Sequence, residues 1–346
     1  MRVPILLLHD QDEHVLIISD LGRLPNLTEC FADLFQTSTS RELTGDATPG
    51  TSQRRVPISP TEGSAIGQKV GSFFAGLHHP ANVLVIHSEP YNDSQFLRHD
   101  GTRDVVLEAA IRPLEEQLNL FPHLLPTNTI PTVYQWVEDD FTRPTHEDEK
   151  VIALGDCWTG ALLVGLGNSA AAPQVAVIDW EFACIGRGAN GDMAQLLAHL
   201  CLFGIAAVWQ GKADSQAAIN GFIQGLTGEY RRQSHALGHF EHAESASLTP
   251  EPHSWTARIM RSAFLAHGAE MISNTFGKEW ACDNSLCCGK EPQGPQGKPQ
   301  CKLIQKMVET GWWYLAHAQE DDATFVTQEN WDAVQQEHIL SRIFYE

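Results

Sequence analysis

The sequence is 346 residues long and 42% hydrophobic, with 43 acidic against 23 basic side chains and a formal charge of −20. That length and apolar content fit a globular protein with a sizeable core, in one large domain or two modest ones. So acidic a chain repels phosphate backbones and anionic lipids, which excludes nucleic acid and membrane surfaces as expected partners. From the N-terminus, the apolar run ending at Leu8 is too short for an export signal and is closed by His9-Asp10 without small cleavage-site residues. Val3 to Leu8 and His14 to Ser19, separated by the polar Asp10-Gln11-Asp12-Glu13, predict a β-hairpin. Gln36 to Ser64 is rich in Thr, Ser, Gly, Pro and charge and predicts an irregular surface loop. Helical spacing follows in Ile66, Val70, Phe73, Phe74 and Leu77, and again from Val105 to Leu118.

Val151 to Leu154, Leu162 to Val164 and Val175 to Ile178 are short apolar runs that predict strands. Ala194 to Trp209 is apolar but carries Gln195 and His199 and falls short of the roughly 20 residues of a membrane span, so it predicts a buried helix. Arg231 to Ser254 and Cys282 to Gln300 read as polar, irregular segments, with helices resuming from Leu303 to His317 and from Glu329 to Ile343. No internal repeat is apparent. Eight cysteines, several isolated in apolar stretches (Cys30, Cys184, Cys201), point to reduced thiols and a cytoplasmic location.

The chemistry concentrates between Leu154 and Asp192. Asp156 and Asp179 each close an apolar run, which places two carboxylates at the ends of what read as adjacent buried strands. Phosphoryl transfer from a nucleotide uses such a pair: one carboxylate orients and deprotonates the acceptor hydroxyl, the other holds the magnesium that bridges the phosphates. Glu181 offers a further oxygen two residues on.

Three blocks occur in order: Leu154-Gly155-Asp156-Cys157-Trp158-Thr159-Gly160, Val177-Ile178-Asp179-Trp180-Glu181-Phe182-Ala183, and Gly191-Asp192-Met193-Ala194. Together they resemble the signature of aminoglycoside phosphotransferases, choline kinases and especially methylthioribose-kinase-like proteins. Val15 to Gly22 looks like that superfamily's last N-lobe strand and hinge, and Ile66 to His78 like the helix that follows. The resemblance implies an α/β (α+β), protein-kinase-like fold: a remnant of the N-lobe sheet over 1–22, then a mainly helical C-lobe over 23–346 with polar insertions near 36–64, 231–254 and 282–300. It implies Asp156 as catalytic base, Asp179 and Glu181 as ligands of Mg2+, Ser19, Asp20 and Leu21 at the adenine of ATP, and Asp192 as a brace of the catalytic loop. Asp192 also stands where it would cap the helix from Met193, and the two readings are compatible. The implied reaction is transfer of the ATP γ-phosphoryl group to a hydroxyl of a small metabolite.

The chain departs from that pattern at named positions. Ala161 stands where a metal-binding asparagine belongs, five residues after Asp156, and Leu154 stands where a histidine precedes Gly-Asp. Only two strands are expected before Asp20-Leu21-Gly22, and Arg2 is the only lysine or arginine ahead of them, so no lysine pairs the phosphates from its usual strand. Losing one such stabiliser costs roughly 10²- to 10³-fold in rate. The expectation is therefore a phosphotransferase of very low activity; the alternatives are a noncatalytic pseudokinase-like binding protein or a truncated gene model.

Elsewhere, Cys282, Cys287, Cys288 and Cys301 read as thiols of a loop more readily than as a zinc site, because no paired C-x-x-C spacing is present. His235, His239 and His242 share a helical face within a segment that reads as solvated and acidic. Trp312, Trp313 and Tyr314 suit core packing first and a wall around an organic substrate second. Asp139 and Asp140 suit a solvated face first and attraction of a cationic amine second.

Overall fold

The computed structural model describes residues 2–10, 15–19, 21–22, 24–35, 58–88, 104, 106–165, 173–239, 249–276 and 301–345. Two short strands open the chain, β1 (Leu6–Asp10) and β2 (Val15–Ile18), paired antiparallel as the alternation of apolar and polar runs predicts. Ser19 closes the pair: its N–H donates to the Ile5 carbonyl and its hydroxyl accepts the Ile5 N–H, both at 2.8 Å. Ahead of β1, Arg2 exchanges main-chain hydrogen bonds with Val175 and Val177, running parallel to a later strand. β3 (Lys150–Ala153), β4 (Leu162–Gly165), β5 (Gln174–Val177) and β6 (Cys184–Arg187) fall close to the apolar runs. Their pairing corrects one expectation. β4 pairs with β5 and β3 with β6, so Asp156 and Asp179 follow strands of separate two-stranded sheets rather than neighbours.

Helices form most of the remainder, and with these small antiparallel sheets they match the mainly helical α+β composition expected. After α1 (Leu27–Phe35), α2 (Pro60–Leu77) begins inside the segment read as a loop to residue 64. The reason is local: Ser59 and Glu62 form a reciprocal capping box, and Pro60 takes the first helical position, where its missing N–H costs nothing. α3 (Pro80–Ser88) follows. The helix read across Val105 to Leu118 is interrupted: a π turn at Leu107–Ile111 gives way at Pro113 to α4 (Leu114–Asn119), because proline cannot continue the ladder. α5 (Ile130–Thr142) leads into β3.

Beyond β6 a π turn, Gly188–Asp192, continues directly into α6 (Met193–Trp209). The joined segment of 22 residues is long and apolar enough to cross a membrane by length and composition, longer than the sequence reading allowed, and 72% of its apolar window is buried within the fold. α7 (Ala213–Ala236) carries helix through Arg231, where a polar loop was expected, because its polar tail is anchored: Arg231 donates to the Arg342 and Tyr345 carbonyls, and Arg232 pairs with Glu229. α8 (Trp255–Thr275) and α9 (Lys302–Ala318) pack against α6 and each other. α10 (Asp322–Phe325) precedes α11 (Gln328–Gln336), and the helix read to Ile343 breaks before α12 (Ser341–Phe344). There the buried Glu337 carboxylate accepts the N–H groups of Ile339 and Ser341, turning the chain.

α2 and α7 meet backbone to backbone. Gly63, Gly67 and Gly71 recur every fourth residue on α2, opposite Gly221 and Gly225 on α7. A β-carbon at any of the five would fall 2.2–2.4 Å from a carbonyl oxygen of the facing helix. The pair buries His78, at the C-terminal cap of α2, against Tyr230 of α7.

Candidate active site

Asp156 sits on a turn that only glycine permits: Gly155 has φ +83°, and a β-carbon there would lie 2.2 Å from the Phe182 carbonyl oxygen. The turn is held from below by Asp192, whose side chain is buried. One carboxylate oxygen accepts the Leu154 N–H at 2.7 Å and the other the Gly155 N–H at 3.0 Å. No capping bond to α6 is made, so both oxygens go to the loop. A third ligand was not foreseen from sequence. His78 Nε2 donates to the same Asp192 carboxylate at 3.1 Å, while Nδ1 accepts from the Tyr230 hydroxyl at 2.9 Å. Gln195 accepts the Cys157 N–H at 3.3 Å, and the Trp158 indole lies over Gly160, leaving no room for a side chain there.

Asp179 follows β5 in the left-handed region, φ 62° and ψ 52°, a conformation aspartate visits more readily than most residues. The Ile178 N–H donates to the Ala161 carbonyl at 3.0 Å, tying the Asp179 turn to the loop that carries Asp156. Burial pushes the Asp179 carboxyl up and so does Glu181, against a hydrogen bond from Trp158 that draws it down. Asp156 is pushed up to about 6, by burial first, then by the Glu270 carboxylate, with Asp179 and Glu181 adding to the rise and His199 opposing it. Glu270 and His199 come from α8 and α6, and His199 Nε2 lies 3.2 Å from Glu270 Oε1, which also accepts from Asn274 at 2.7 Å. Nothing in the local sequence marks this pair. A histidine in an apolar helix is the one signal, and it gains meaning only once α8 is packed against α6.

Asp156 thus feels the carboxylates of Glu270, Asp179 and Glu181 together, with the single imidazole of His199 against them. Among the described residues no three His, Cys, Asp or Glu side chains are grouped as a metal site. Asp179 and Glu181 are nonetheless a fitting donor set for magnesium, which commonly takes one or two carboxylates and completes its shell with phosphate and water. Ala161 is fully buried and its methyl offers no oxygen. Of the residues expected at adenine, Asp20 lies outside the described residues, Ser19 spends its N–H and hydroxyl on Ile5, and Leu21 is half-buried beside Gly22, whose φ is +87°.

Beside the loop lies a cavity of about 340 Å³, walled by Gly155, Asp192, Gln195 and Glu270 on the side towards Asp156 and by α5, β6 and α8 elsewhere. Asp140 is one of its walls, which corrects the solvated reading: it is buried and accepts from Arg143, Arg187 and Ser262 at 2.8–2.9 Å. Burial raises its carboxyl, but the two guanidiniums outweigh that and hold it below its ordinary range. Asp139 accepts from Gln135 on the exposed face. Tyr314 is buried with its hydroxyl on Glu337, and Trp313 stacks on His317, so these rings serve packing. His239 lies past the end of α7 with its ring against His79; burial lowers it to about 4. Cys30, Cys157, Cys201 and Cys301 are buried and Cys184 is half-buried, whereas Cys282, Cys287, Cys288 and His242 lie outside the described residues.

No family model matches the sequence, and no curated protein matches it. Among solved structures the chain is similar to an ethanolamine kinase of Plasmodium vivax, with a TM-score of 0.35 and 11% identity over 91% of this chain and 67% of that one, a likeness too remote to argue from.

Proposed function

We propose that the chain is a kinase-like phosphotransferase of the cytoplasm that moves the γ-phosphoryl group of ATP to a hydroxyl of a small molecule. The observation that carries this reading is the main-chain bond from Ile178 to Ala161, which ties the Asp179 turn to the loop of Asp156 across two separate sheets, that loop being bound by its backbone to Asp192. In it, Asp156 accepts the proton of the acceptor hydroxyl as that oxygen attacks. Asp179 and Glu181 would hold Mg2+, which when bound neutralises charge on the phosphates. Asp192 keeps the loop in place, and His78 keeps Asp192 in place. The thiols of Cys157, Cys184 and Cys201 support the cytoplasmic assignment.

A second reading, a noncatalytic binding protein, is favoured by Ala161, which removes one metal ligand from the loop. Calorimetric titration of the full chain with ATP, with and without magnesium, tests the first. Binding that requires magnesium and is lost in Asp179→Ala is the expected result; binding indifferent to both would overturn it.

A further inference from the structure

Two lining residues of opposite charge stand well apart in the cavity beside the loop: Arg187 reaches Ser262 of α8, and Glu270 lies eight residues further along that helix, about 12 Å at 1.5 Å per residue. Ile111, Val137, Phe141, Ile185 and Leu265 contribute apolar wall. At the end towards Asp156, Glu270 spends Oε1 on His199 and Asn274, and among the described residues Oε2 has no partner. With Asp156, Asp179 and Glu181 nearby, that end is negative.

At the other end Asp140 is saturated by three donors, so the unspent hydrogen-bonding capacity there belongs to Arg187. Its terminal nitrogens serve Asp140 and Ser262, and among the described residues its Nε meets no acceptor. Arg187 also belongs to a largely buried network in which Arg143 and Arg258 share Glu149, and Arg143 shares Asp140. Three guanidiniums there face two buried carboxylates, since Asp148, the remaining partner of Arg258, is solvent-exposed and screened. That end carries a positive excess. The volume of about 340 Å³ is at the small end for ligand sites, which run from about 300 to 1,000 Å³. Apart from Thr145, Asn190 and Gln195, the uncharged wall gives the several hydroxyls of a sugar few partners, and burying them unpartnered is costly.

We infer that the acceptor is a small zwitterionic alcohol with an apolar body, its ammonium set against Glu270, its carboxylate against Arg187 and its hydroxyl towards Asp156. The inference rests on the phosphotransferase reading for the hydroxyl, but the recognition of the two charges does not depend on it.

Four probes separate the elements of this claim: 4-(2-amino-1-hydroxyethyl)benzoate, which carries its ammonium and hydroxyl at one end of a ring and its carboxylate at the other; 2-amino-1-phenylethanol, which lacks the carboxylate; 4-(1-hydroxyethyl)benzoate, which lacks the ammonium; and glucose. Each is titrated by calorimetry into the full chain without nucleotide. The zwitterion is expected to bind about tenfold or more tightly than either singly charged probe, the scale of one charge-assisted hydrogen bond, with glucose silent. Glu270→Gln should bring the zwitterion down to the level of the probe without an ammonium, and Arg187→Gln to that of the probe without a carboxylate. Ala266→Phe, which fills the cavity, should abolish all binding; circular dichroism checks that each variant is folded. Binding of either singly charged probe as tight as that of the zwitterion, or binding untouched by Ala266→Phe, would overturn the inference. If the zwitterion binds as expected but ATP shows no dependence on magnesium or Asp179, the phosphotransferase reading falls and the ligand class stands. Magnesium-dependent ATP binding with no preference among the probes would sink the ligand class alone.

Discussion

At Asp156, burial and the Glu270 carboxylate act in the same direction and leave the group about half ionised near pH 6. A base must be ionised to accept a proton, so its working form grows in as pH rises through about 6 and is lost below it. The expected measurement is a carboxyl titration by NMR with a midpoint near 6, moved down towards the ordinary aspartate value of about 4 in Glu270→Gln. A midpoint already at the ordinary value in the unaltered chain would remove the electrostatic basis of the site. Asp192 poses a different question, because its two oxygens are both bonded to main-chain N–H groups. Asp192→Asn turns a donor towards donors, and the buried N–H left without an acceptor costs about 1–3 kcal/mol. Denaturant unfolding should register that loss, while Glu181→Gln, at an exposed position, should leave stability within about 0.5 kcal/mol of the unaltered chain.

Among the elements, the α2–α7 pair gives the sharpest contrast. Gly67→Ala places a methyl 2.2 Å from the Phe222 carbonyl oxygen, so the helices must separate, at a cost of about 3 kcal/mol or more. Gly76→Ala, on the same helix with nothing within 4 Å, should instead gain about 0.5–1 kcal/mol through helix propensity. Thermal unfolding of the two variants side by side checks both signs. In α8, His267 donates from Nδ1 to the Ala194 carbonyl, and burial lowers it to about 3. The unfolded chain takes up this proton near pH 6.5 and the folded chain does not. Stability is therefore fully present above about 6.5 and falls by up to about 1.4 kcal/mol per pH unit below it. Unfolding free energies between pH 7 and 5 should carry that slope, and His267→Gln should flatten it.

What could be read in advance divides along the same line. The loop around Asp156 and the turn at Asp179 are written in consecutive residues, and a glycine before an aspartate at the end of an apolar run is a local signal. The partner of β3 is not, since strand pairing is settled between segments far apart in the chain. The pairing of Glu270 with His199, a polar residue already visible in an apolar helix, is hidden for the same reason, being made by helix packing. The fourfold glycine spacing on α2 was in plain view, yet it acquires meaning only opposite Gly221 and Gly225.

Over the whole molecule, Asp140 and Glu149 join parts of the chain that are otherwise distant. Asp140 ties α5 to β6 and α8, and Glu149 receives both Arg143 and Arg258 with its side chain fully buried. Glu149→Gln leaves two guanidiniums short of a counter-charge and should lower stability by about 3–5 kcal/mol in denaturant unfolding. The glycine contact between α2 and α7 has a reach of the same order. Where two helices touch through carbonyl oxygens and α-carbons, their separation is fixed by covalent dimensions common to every residue, and substitutions elsewhere on either helix leave it unchanged. His78, at the end of α2, and Tyr230, on α7, stand on that gauge, and through Asp192 so does the loop of Asp156. The reacting carboxylate is thereby referred to a mechanical datum that sequence drift can abolish at five positions but cannot gradually mis-set.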